Sequence, residues 1–365
     1  MKLEYYLFAT NECNLNCGYC SIIEDTKKNK IPMYPTYNLQ KLKNFIQKTQ
    51  KFYKSNTLDI IFFGGEPSLN IEFVKKVIKE IGNTIEYSTV NYIFHTNGLN
   101  LKKIDRNLLS KFQIIMISIN YEKIPTYNLQ NSYFGEIVSN IKYTKDNTNA
   151  ILVGRLTVTE KVSLYMNILQ ISNFFDYVYW QIQNCVKFEN FNTFYNTYSF
   201  ELDLIWDYWF RYFSIGSQIN FIPFIALSRL EFNNTFFNNK FLCGYNEFMI
   251  YILTNGNCYS CAEEIFNTSH FLIGDIINGI TFKPQKVSTI TLCKECPYLK
   301  LCHGRCGRMH ERFKLSHIKE YCELNSLLFK KILSNKTQII EIYQKYPHLV
   351  INLENNTLLA TEYVP

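Results

Sequence analysis

Between residues 3 and 183 the sequence alternates short apolar runs with longer amphipathic stretches. The runs are rich in Ile, Val, Phe and Tyr and end at polar residues or glycine, which is typical of buried β-strands. Strands that alternate with helices favour a parallel sheet with crossover helices. Six repeats favour an α/β fold built on a partial (β/α)6 TIM-like barrel. The predicted strands are Leu3–Ala9, Asp59–Phe63, Tyr92–His95, Ile114–Ile119, Ile151–Val158 and Tyr177–Ile182.

The segments between these runs carry apolar residues at helical spacing, which predicts the crossover helices. An aromatic-rich stretch follows residue 184 and contains a predicted helix over Leu202–Phe213, interpreted as a core or inter-domain helix. A Lys-rich amphipathic helix is predicted over Asn325–Tyr346. The predicted crossover helices are Asn38–Tyr53, Ile71–Ile81, Leu101–Phe112, Tyr133–Lys145 and Val162–Phe174.

Three cysteines, Cys13, Cys17 and Cys20, follow the first predicted strand within eight residues. Three thiolates on one tight loop can hold three irons of a cubane cluster, which leaves the fourth iron open to a substrate or cofactor. A zinc site is the alternative, but zinc motifs usually repeat a two-residue spacing and close with a nearby fourth ligand. Here the first gap is three residues, and the next His or Cys is His95.

The composition argues against a disordered, secreted, membrane-spanning or nucleic-acid-binding protein. Hydrophobic residues make up 47% of the chain and charged residues 19%, which is typical of a globular protein. The N-terminus lacks a signal-peptide pattern, and the most hydrophobic window, residues 205–227, contains charges and a proline, so a cytoplasmic protein without a membrane span is predicted. The net charge of +7 includes one short lysine cluster, at 27–30, and predicts no nucleic-acid partner. With 12 cysteines in a cytoplasmic protein, metal or redox chemistry is favoured over disulfides.

The spacing Cys-x3-Cys-x2-Cys, with the aromatic Tyr19 before its last cysteine, resembles the signature of radical S-adenosylmethionine (SAM) enzymes. The resemblance implies a 4Fe–4S cluster whose open iron is chelated by SAM. It further implies reductive cleavage of SAM to a 5′-deoxyadenosyl radical that abstracts a hydrogen atom. Tyr19 is included among the implied cofactor contacts.

Further implied SAM contacts follow the predicted strands. The string Gly64, Gly65, Glu66 and Pro67 matches the family element that receives the SAM amino group, although a Gly-Gly pair alone predicts a simple βα turn. The next strand ends in a segment that lies beside the cofactor in the family. The residues predicted there are Thr96 and Asn97.

Ser118, Arg155 and Gln181 complete the predicted contact set. Ser118 matches a family serine, but Asn120 and Tyr121 stand where most relatives have Asp and Gly. Arg155 lies inside an apolar strand, where a charged side chain needs a partner. That partner is either the SAM carboxylate or an internal acid. Gln181 either faces the cleft or satisfies the barrel rim.

A second group of cysteines begins at residue 243. Its spacing is Cys-x12-Gly-x4-Cys, then Cys-x2-Cys-x5-Cys-x3-Cys, then a last cysteine after fifteen residues. The pattern resembles the SPASM domain of peptide- and protein-modifying radical SAM enzymes. A zinc ribbon from the four cysteines between 293 and 306 is the alternative, and it leaves Cys243, Cys261 and Cys322 unexplained.

The SPASM resemblance implies two auxiliary 4Fe–4S clusters, and therefore three clusters in all. The ligand sets are interleaved, and Cys258 is the candidate fourth ligand of the first auxiliary cluster. The first set is Cys243, Cys261 and Cys306, and the second is Cys293, Cys296, Cys302 and Cys322. The implied domains are a radical SAM barrel over 1–200, a bridging helical segment over 201–242, a SPASM domain over 243–325, and a C-terminal helix and tail over 326–365.

The leading functional hypothesis is a radical SAM maturase that crosslinks or oxidises a ribosomally made peptide or a protein. The alternative is an anaerobic sulfatase maturase that forms formylglycine. Those enzymes carry an acidic residue directly after the cysteine that matches Cys261, where this chain has Ala262, so Glu263 and Glu264 are the candidate catalytic acids. An iron–sulfur electron carrier without catalytic activity is the hypothesis from another class.

The predicted partners are a peptide or protein substrate and an electron donor such as flavodoxin or ferredoxin. The first predicted strand begins at once, so no N-terminal leader-binding domain is expected. A separate leader-peptide-binding protein is therefore a further candidate partner.

Overall fold

The computed structural model describes residues 2–18, 20, 22, 29–82, 89–119, 127–183, 186–233, 249–261, 263, 271–281, 291–351 and 364–365. The chain divides into two compact units, each discontinuous in sequence. The region 243–325, predicted as one cluster domain, is divided between them. The first unit is Met1–Ile117, Tyr133–Ala150 and Gly244–Lys286, and the second is Ser118–Ser132, Ile151–Cys243 and Val287–Pro365.

The strands follow the predicted alternation through residue 182, and the described residues after it form four more. They are β1 (Lys2–Thr10), β2 (Thr57–Gly64), β3 (Thr89–Thr96), β4 (Ile114–Ser118), β5 (Ile151–Val158), β6 (Tyr177–Ile182), β7 (Met249–Ile252), β8 (Asn257–Tyr259), β9 (Leu272–Asp275) and β10 (Gly279–Ile280).

The helices are α1 (Leu39–Tyr53), α2 (Ile71–Gly82), α3 (Arg106–Leu109), α4 (Tyr127–Asn147), α5 (Leu164–Ile171), α6 (Phe191–Ser214), α7 (Ile222–Asn233), α8 (Thr291–Lys294), α9 (Leu299–Cys302), α10 (Gly307–Arg312), α11 (Leu315–Ser334), α12 (Lys336–Lys345) and α13 (His348–Ile351). Within the described ranges, none of these helices has the length and apolar character needed to cross a membrane.

The sheet of the first unit has the four parallel strands β1 to β4 in chain order. Strand β7 pairs with the other edge of β1, also in parallel, and β8, β9 and β10 follow as an antiparallel extension. These last four strands are not predictable from the sequence pattern, because two to four residues are too few for a periodic signal.

Helix α1 begins where the sequence predicts, because the Asn38 side chain accepts a hydrogen bond from the Gln40 amide at 2.6 Å. The predicted continuous helix Leu101–Phe112 is wrong. A 3-10 turn occupies Leu101–Lys103, and the Asp105 carboxylate then caps the short α3.

The second unit pairs β5 with β6 in parallel and packs the aromatic helix α6 into its core. Trp206 and Trp209 are buried on α6, which confirms the core interpretation of that stretch. The predicted single helix Asn325–Tyr346 is wrong in its bounds. Helix α11 begins at Leu315 and ends at Ser334, and Asn335 separates it from α12.

Candidate functional site

The segment after β1 is fixed by hydrogen bonds before the first cysteine is reached. The Asn11 amide donates to the Met33 carbonyl at 2.8 Å. The Asn11 side-chain amide donates to the Pro32 carbonyl at 2.8 Å and to Thr254 Oγ1 at 2.9 Å. Because Asn11 is 1% exposed, these bonds are shielded from water. The cysteine loop therefore starts from a rigid position.

The three cysteines of the loop are not in disulfide bonds, and they differ in exposure. Cys13 and Cys17 are half-buried and Cys20 is exposed. The Cys20 amide donates to the Cys17 carbonyl at 3.0 Å, which closes the turn between the last two cysteines, and the Leu15 amide lies 3.5 Å from Cys13 Sγ. Tyr19 lies outside the described residues.

In the described part of the chain, no three His, Cys, Asp or Glu side chains are arranged around one metal ion. A cubane cluster distributes its ligands over separate irons, so it does not need that arrangement. Burial raises the pKa of the Cys13 thiol, and the nearby Glu66 carboxylate raises it further. Binding of iron at Cys13 therefore has to displace a proton.

The paired glycines after β2 make room for the backbone that leads into the cysteine loop. A Cβ atom on Gly65 would lie 2.2 Å from the Glu12 carbonyl oxygen, and one on Gly64, whose φ is +124°, would lie 2.2 Å from that of Thr10. This close approach allows the Gly65 amide to donate a hydrogen bond to the Thr10 carbonyl at 2.9 Å. Both glycines are thus required by contact with the chain itself.

Glu66 is 1% exposed, and its carboxylate binds the end of β3. Oε1 accepts from Thr96 Oγ1 at 2.7 Å and from the Ser68 amide at 3.0 Å, and Oε2 accepts from the Asn97 amide at 2.7 Å. Burial raises the pKa of the Glu66 carboxyl, and these donors oppose that shift. The sequence motif does not reveal this role, because it predicts Glu66 only as a partner of an ammonium group.

Asn97 joins the end of β3 to the cysteine loop. Its side-chain amide donates to Asn14 Oδ1 at 2.7 Å, and its own Oδ1 accepts from the Leu99 amide at 3.1 Å. Asn14 lies between the first two cysteines, so the loop, the β2 turn and the β3 turn form one hydrogen-bonded group. The structure thereby brings together Cys13, Glu66, Thr96 and Asn97 as predicted neighbours.

Arg155 and Gln181 lie on the neighbouring strands β5 and β6 of the second unit, and an Arg155 Nη2 hydrogen bond to Gln181 Oε1 joins them. Arg155 Nε is buried and has no hydrogen-bond partner among the described residues. The Arg155 carbonyl accepts from the Ile119 amide at 2.9 Å, next to the exposed Ser118 at the end of β4. Asn120 and Tyr121 lie outside the described residues.

Four cysteines of the second unit line one cavity of about 520 Å³. The cavity also receives Arg305, His310 and Tyr321. Local turns fix the sulfur positions: the Cys296 amide donates to the Cys293 carbonyl at 3.2 Å, and α9 ends at Cys302. The four cysteines are Cys293, Cys296, Cys302 and Cys322, which are the predicted second auxiliary set.

The thiols of this cavity influence one another. Burial raises the pKa of Cys302 to about 12 and that of Cys322 to about 11. The charges of Cys293 and Cys296 push both values in the same direction, and the Arg305 cation opposes them. Burial also raises the pKa of Cys293. A set of buried thiols with raised pKa values is suited to a cationic metal centre, which removes their protons and compensates their charges.

Arg305 is a site residue that the cysteine spacing does not reveal. It is 5% exposed, has a φ of +52°, and donates from Nε to the Pro365 main-chain oxygen at 2.9 Å. Its guanidinium carbon lies 5.2 Å from the centre of the Tyr321 ring. The left-handed backbone between Cys302 and Cys306 turns this cation inward.

The structure does not bring the predicted ligands of the first auxiliary cluster together within the described residues, so this ligand set stays a prediction. Cys258 is fully buried in β8, and its Sγ lies 3.7 Å from the Gly256 carbonyl oxygen, while Cys261 is half-buried. Cys306 precedes α10 and does not line the four-cysteine cavity. Cys243 and Glu264 lie outside the described residues, and Glu263 is exposed.

Comparison with known families gives a family match for the segment that contains the first site. Residues 7–158 match the model of the Radical SAM superfamily. This segment is a radical SAM domain. It contains the cysteine loop, the Gly64–Pro67 turn and Arg155, so the family implies SAM and one 4Fe–4S cluster for this chain.

Two curated relatives extend the comparison beyond the radical SAM domain. The cysteine-type anaerobic sulfatase-maturating enzyme of Clostridium novyi is 24% identical over 371 residues, which cover 91% of this chain and 95% of that protein. The radical SAM cyclopropyl synthase TigE of Paramaledivibacter caminithermalis is 30% identical over 122 residues, which cover 30% of this chain and 25% of that protein.

Solved structures match the fold over nearly the whole chain. Native anSMEcpe with bound AdoMet has a TM-score of 0.68 at 17% identity, over 92% of this chain and all of that one. Native anSMEcpe with AdoMet and the Cp18Cys peptide has a TM-score of 0.64 at 18% identity, over 93% of this chain. The predicted α/β radical SAM fold is therefore confirmed, and an unclosed partial barrel agrees with it.

The residues of the radical SAM domain fit the implied groups. Cys13, Cys17 and Cys20 supply three thiols outside disulfide bonds on one loop, which is the donor set of a cubane with one open iron. Arg155 Nε is buried and has no hydrogen-bond partner in the described part of the chain, so it is a donor suited to a carboxylate.

Proposed function

We propose that the chain is a radical SAM enzyme of the SPASM type that modifies a peptide or protein. The observation that carries the proposal is the cavity lined by four cysteines, which the radical SAM domain does not need for its own cluster. Similarity over 91% of the chain to a sulfatase-maturating enzyme supports a protein or peptide substrate. A matched structure, native anSMEcpe, also contains both bound AdoMet and a peptide.

The bound cluster and SAM supply a 5′-deoxyadenosyl radical, which is chemistry that the side chains cannot perform. Cys13, Cys17 and Cys20 hold the three irons, and the Asn97 bond to Asn14 fixes their loop. Glu66 positions Thr96 and Asn97. The proposed SAM contacts are Tyr19, Gly64, Gly65, Glu66, Pro67, Thr96, Asn97, Ser118, Arg155 and Gln181.

Two further 4Fe–4S clusters complete the proposal. Cys293, Cys296, Cys302 and Cys322 hold one of them, and Cys243, Cys261 and Cys306 hold the other, with Cys258 as its candidate fourth ligand. When bound, these clusters would supply a site for the substrate or an acceptor for the electron left after hydrogen abstraction. A flavodoxin or ferredoxin is the proposed donor of the first electron.

Sulfatase maturation is the second candidate function, favoured by the nearly full-length match to the Clostridium novyi enzyme. Against it stands Ala262 in place of an acidic residue after Cys261. The exposed Glu263 is the described acid nearest to that position.

Mass spectrometry of co-expressed peptides tests the proposed function. Peptides encoded beside this gene and a sulfatase peptide with its target cysteine are each expressed with the protein under anaerobic conditions. Crosslinking or oxidation removes two hydrogens and keeps sulfur, whereas formylglycine formation from cysteine replaces the thiol by an aldehyde and removes sulfur. We expect the loss of two hydrogens, and it should disappear when Cys13, Cys17 and Cys20 are changed to Ala. Sulfur loss would establish the maturase instead, and unchanged peptides would contradict both.

A further inference from the structure

A groove of the first unit lies outside every predicted cofactor site. Helix α1 forms one wall, and the turn between β9 and β10 forms the other, around a volume of about 420 Å³. The lining residues from α1 recur at helical spacing, so a single face of the helix is presented. The lining residues are Lys41, Asn44, Phe45, Lys48, Thr49, Phe52, Tyr53, Ile276, Ile277, Gly279 and Ile280.

The groove exposes large apolar side chains on both walls. Phe52 is 62% exposed and Ile277 is 65% exposed, whereas most large apolar side chains of the described residues are buried in the core. Strand β10 pairs with β9 on one side, and in the described part of the unit no strand covers its other side. Exposed apolar side chains beside an open strand edge are typical of surfaces that bind another chain.

The charge of the groove is positive. Lys41 and Lys48 lie two helical turns apart, about 10 Å along α1, and α1 contains no Asp or Glu. The acid nearest in sequence to the groove wall is Asp275, and its carboxylate accepts from the Ile277 amide at 2.7 Å and the Asn278 amide at 2.8 Å. These bonds hold the anionic Asp275 carboxylate within its own turn, and Asp275 does not line the groove. The charged side chains that line the groove are the two lysines, so the lining carries a positive charge.

We propose that this groove binds an acidic segment of the peptide substrate, with its apolar side chains between Phe52 and Ile277 and its carboxylates on Lys41 and Lys48. The inference rests on the proposed function, because it assigns the groove to recognition of that substrate. Recognition at α1 leaves the cysteine loop free for the reacting residue. It also gives the chain a docking surface of its own in the first unit.

Fluorescence anisotropy on the anaerobic, cluster-containing protein tests the proposal. The probe is a short labelled peptide rich in Glu and Leu, compared with counterparts in which Gln or Lys replaces Glu. We expect only the Glu peptide to bind, and we expect Lys41→Glu with Lys48→Glu, or Ile277→Asp, to weaken it about tenfold or more. The matched control is Lys51→Glu with Lys54→Glu, which makes the same charge change on exposed residues outside the groove.

Three results would overturn the proposal. An equal loss of Glu-peptide affinity in the control variant would mean that the peptide is attracted by the overall positive charge of the surface and not by the groove. Binding of an oligonucleotide, but not of the Glu peptide, in the same groove would assign it to nucleic acid. A dimer that Ile277→Asp dissociates would assign it to a second copy of the chain.

Two further readouts separate this proposal from the proposed function. The groove variants should form 5′-deoxyadenosine from SAM at the unchanged rate, because they touch no predicted cofactor contact. If a modified peptide is found and the groove variants modify it with unchanged KM, the docking proposal fails and the function stands. If the Glu peptide binds the groove but no peptide is ever modified, the function fails and the docking surface stands.

Discussion

Replacing Gly65 by Ala should abolish cluster binding at the cysteine loop. The added Cβ would lie 2.2 Å from the Glu12 carbonyl oxygen and 2.9 Å from the Asn11 carbonyl carbon, and both are backbone atoms that cannot rotate away. The strand end that leads to Cys13 then has to move. We expect a loss of about four irons per chain and a fall of about a hundredfold or more in 5′-deoxyadenosine formation. Iron analysis and chromatography of the SAM cleavage products measure these effects.

Gly135→Ala is the matched control for this change. Gly135 lies in α4 with nothing within 4 Å of the position that an added Cβ would take, so Ala fits there and favours the helix by up to about 1 kcal/mol. Its iron content and activity should equal those of the unchanged protein. Full activity in Gly65→Ala would show that the β2 turn does not support the cysteine loop in this way.

Replacing Cys302 by Ala should remove one cluster from the second unit and leave the radical SAM domain loaded. Cys302 is the thiol whose pKa burial and the other three cavity cysteines raise to about 12. We expect a loss of about four irons per chain and a fall of about 10 °C in the unfolding temperature, because metal binding contributes to folding. Iron and sulfide analysis, electron paramagnetic resonance and anaerobic thermal unfolding measure these changes.

Cys185→Ala serves as the control for that experiment, since Cys185 falls outside all three predicted ligand sets. It should retain the full iron content. An equal iron content in Cys302→Ala would refute the assignment of the four-cysteine cavity as a cluster site.

The pattern of apolar runs predicts β1 to β6 because each strand is long enough for its burial to leave a signal in the sequence. It does not predict β7 to β10. Strand β7 is a four-residue run that becomes a strand by pairing with β1, as in the register of Tyr5 with Ile250. That pairing joins residues about 245 positions apart, and no local pattern encodes it.

The sequence predicts those residues of the site that belong to a recognisable motif. The cysteine spacing identifies the loop, and the resemblance to the SPASM domain implies the four-cysteine set, which the structure brings around one cavity. Why a particular residue is needed at its position becomes clear only from its contacts in the structure. Gly65 is required by the Glu12 carbonyl, Glu66 binds Thr96 and Asn97, and Arg305 turns inward through a left-handed backbone.

The measurement that tests the central claim most directly is 5′-deoxyadenosine formation. The protein is loaded with iron and sulfide under anaerobic conditions, mixed with SAM and a strong reductant, and analysed by liquid chromatography with mass detection. Cys13, Cys17 and Cys20 are replaced by Ala in the comparison variant, and Cys185→Ala is the control. We expect 5′-deoxyadenosine from the unchanged protein and from the control, and none above background from the triple variant. Absence of the product from the unchanged protein, or equal amounts from the triple variant, would contradict the assignment of a radical-generating site to the loop after β1.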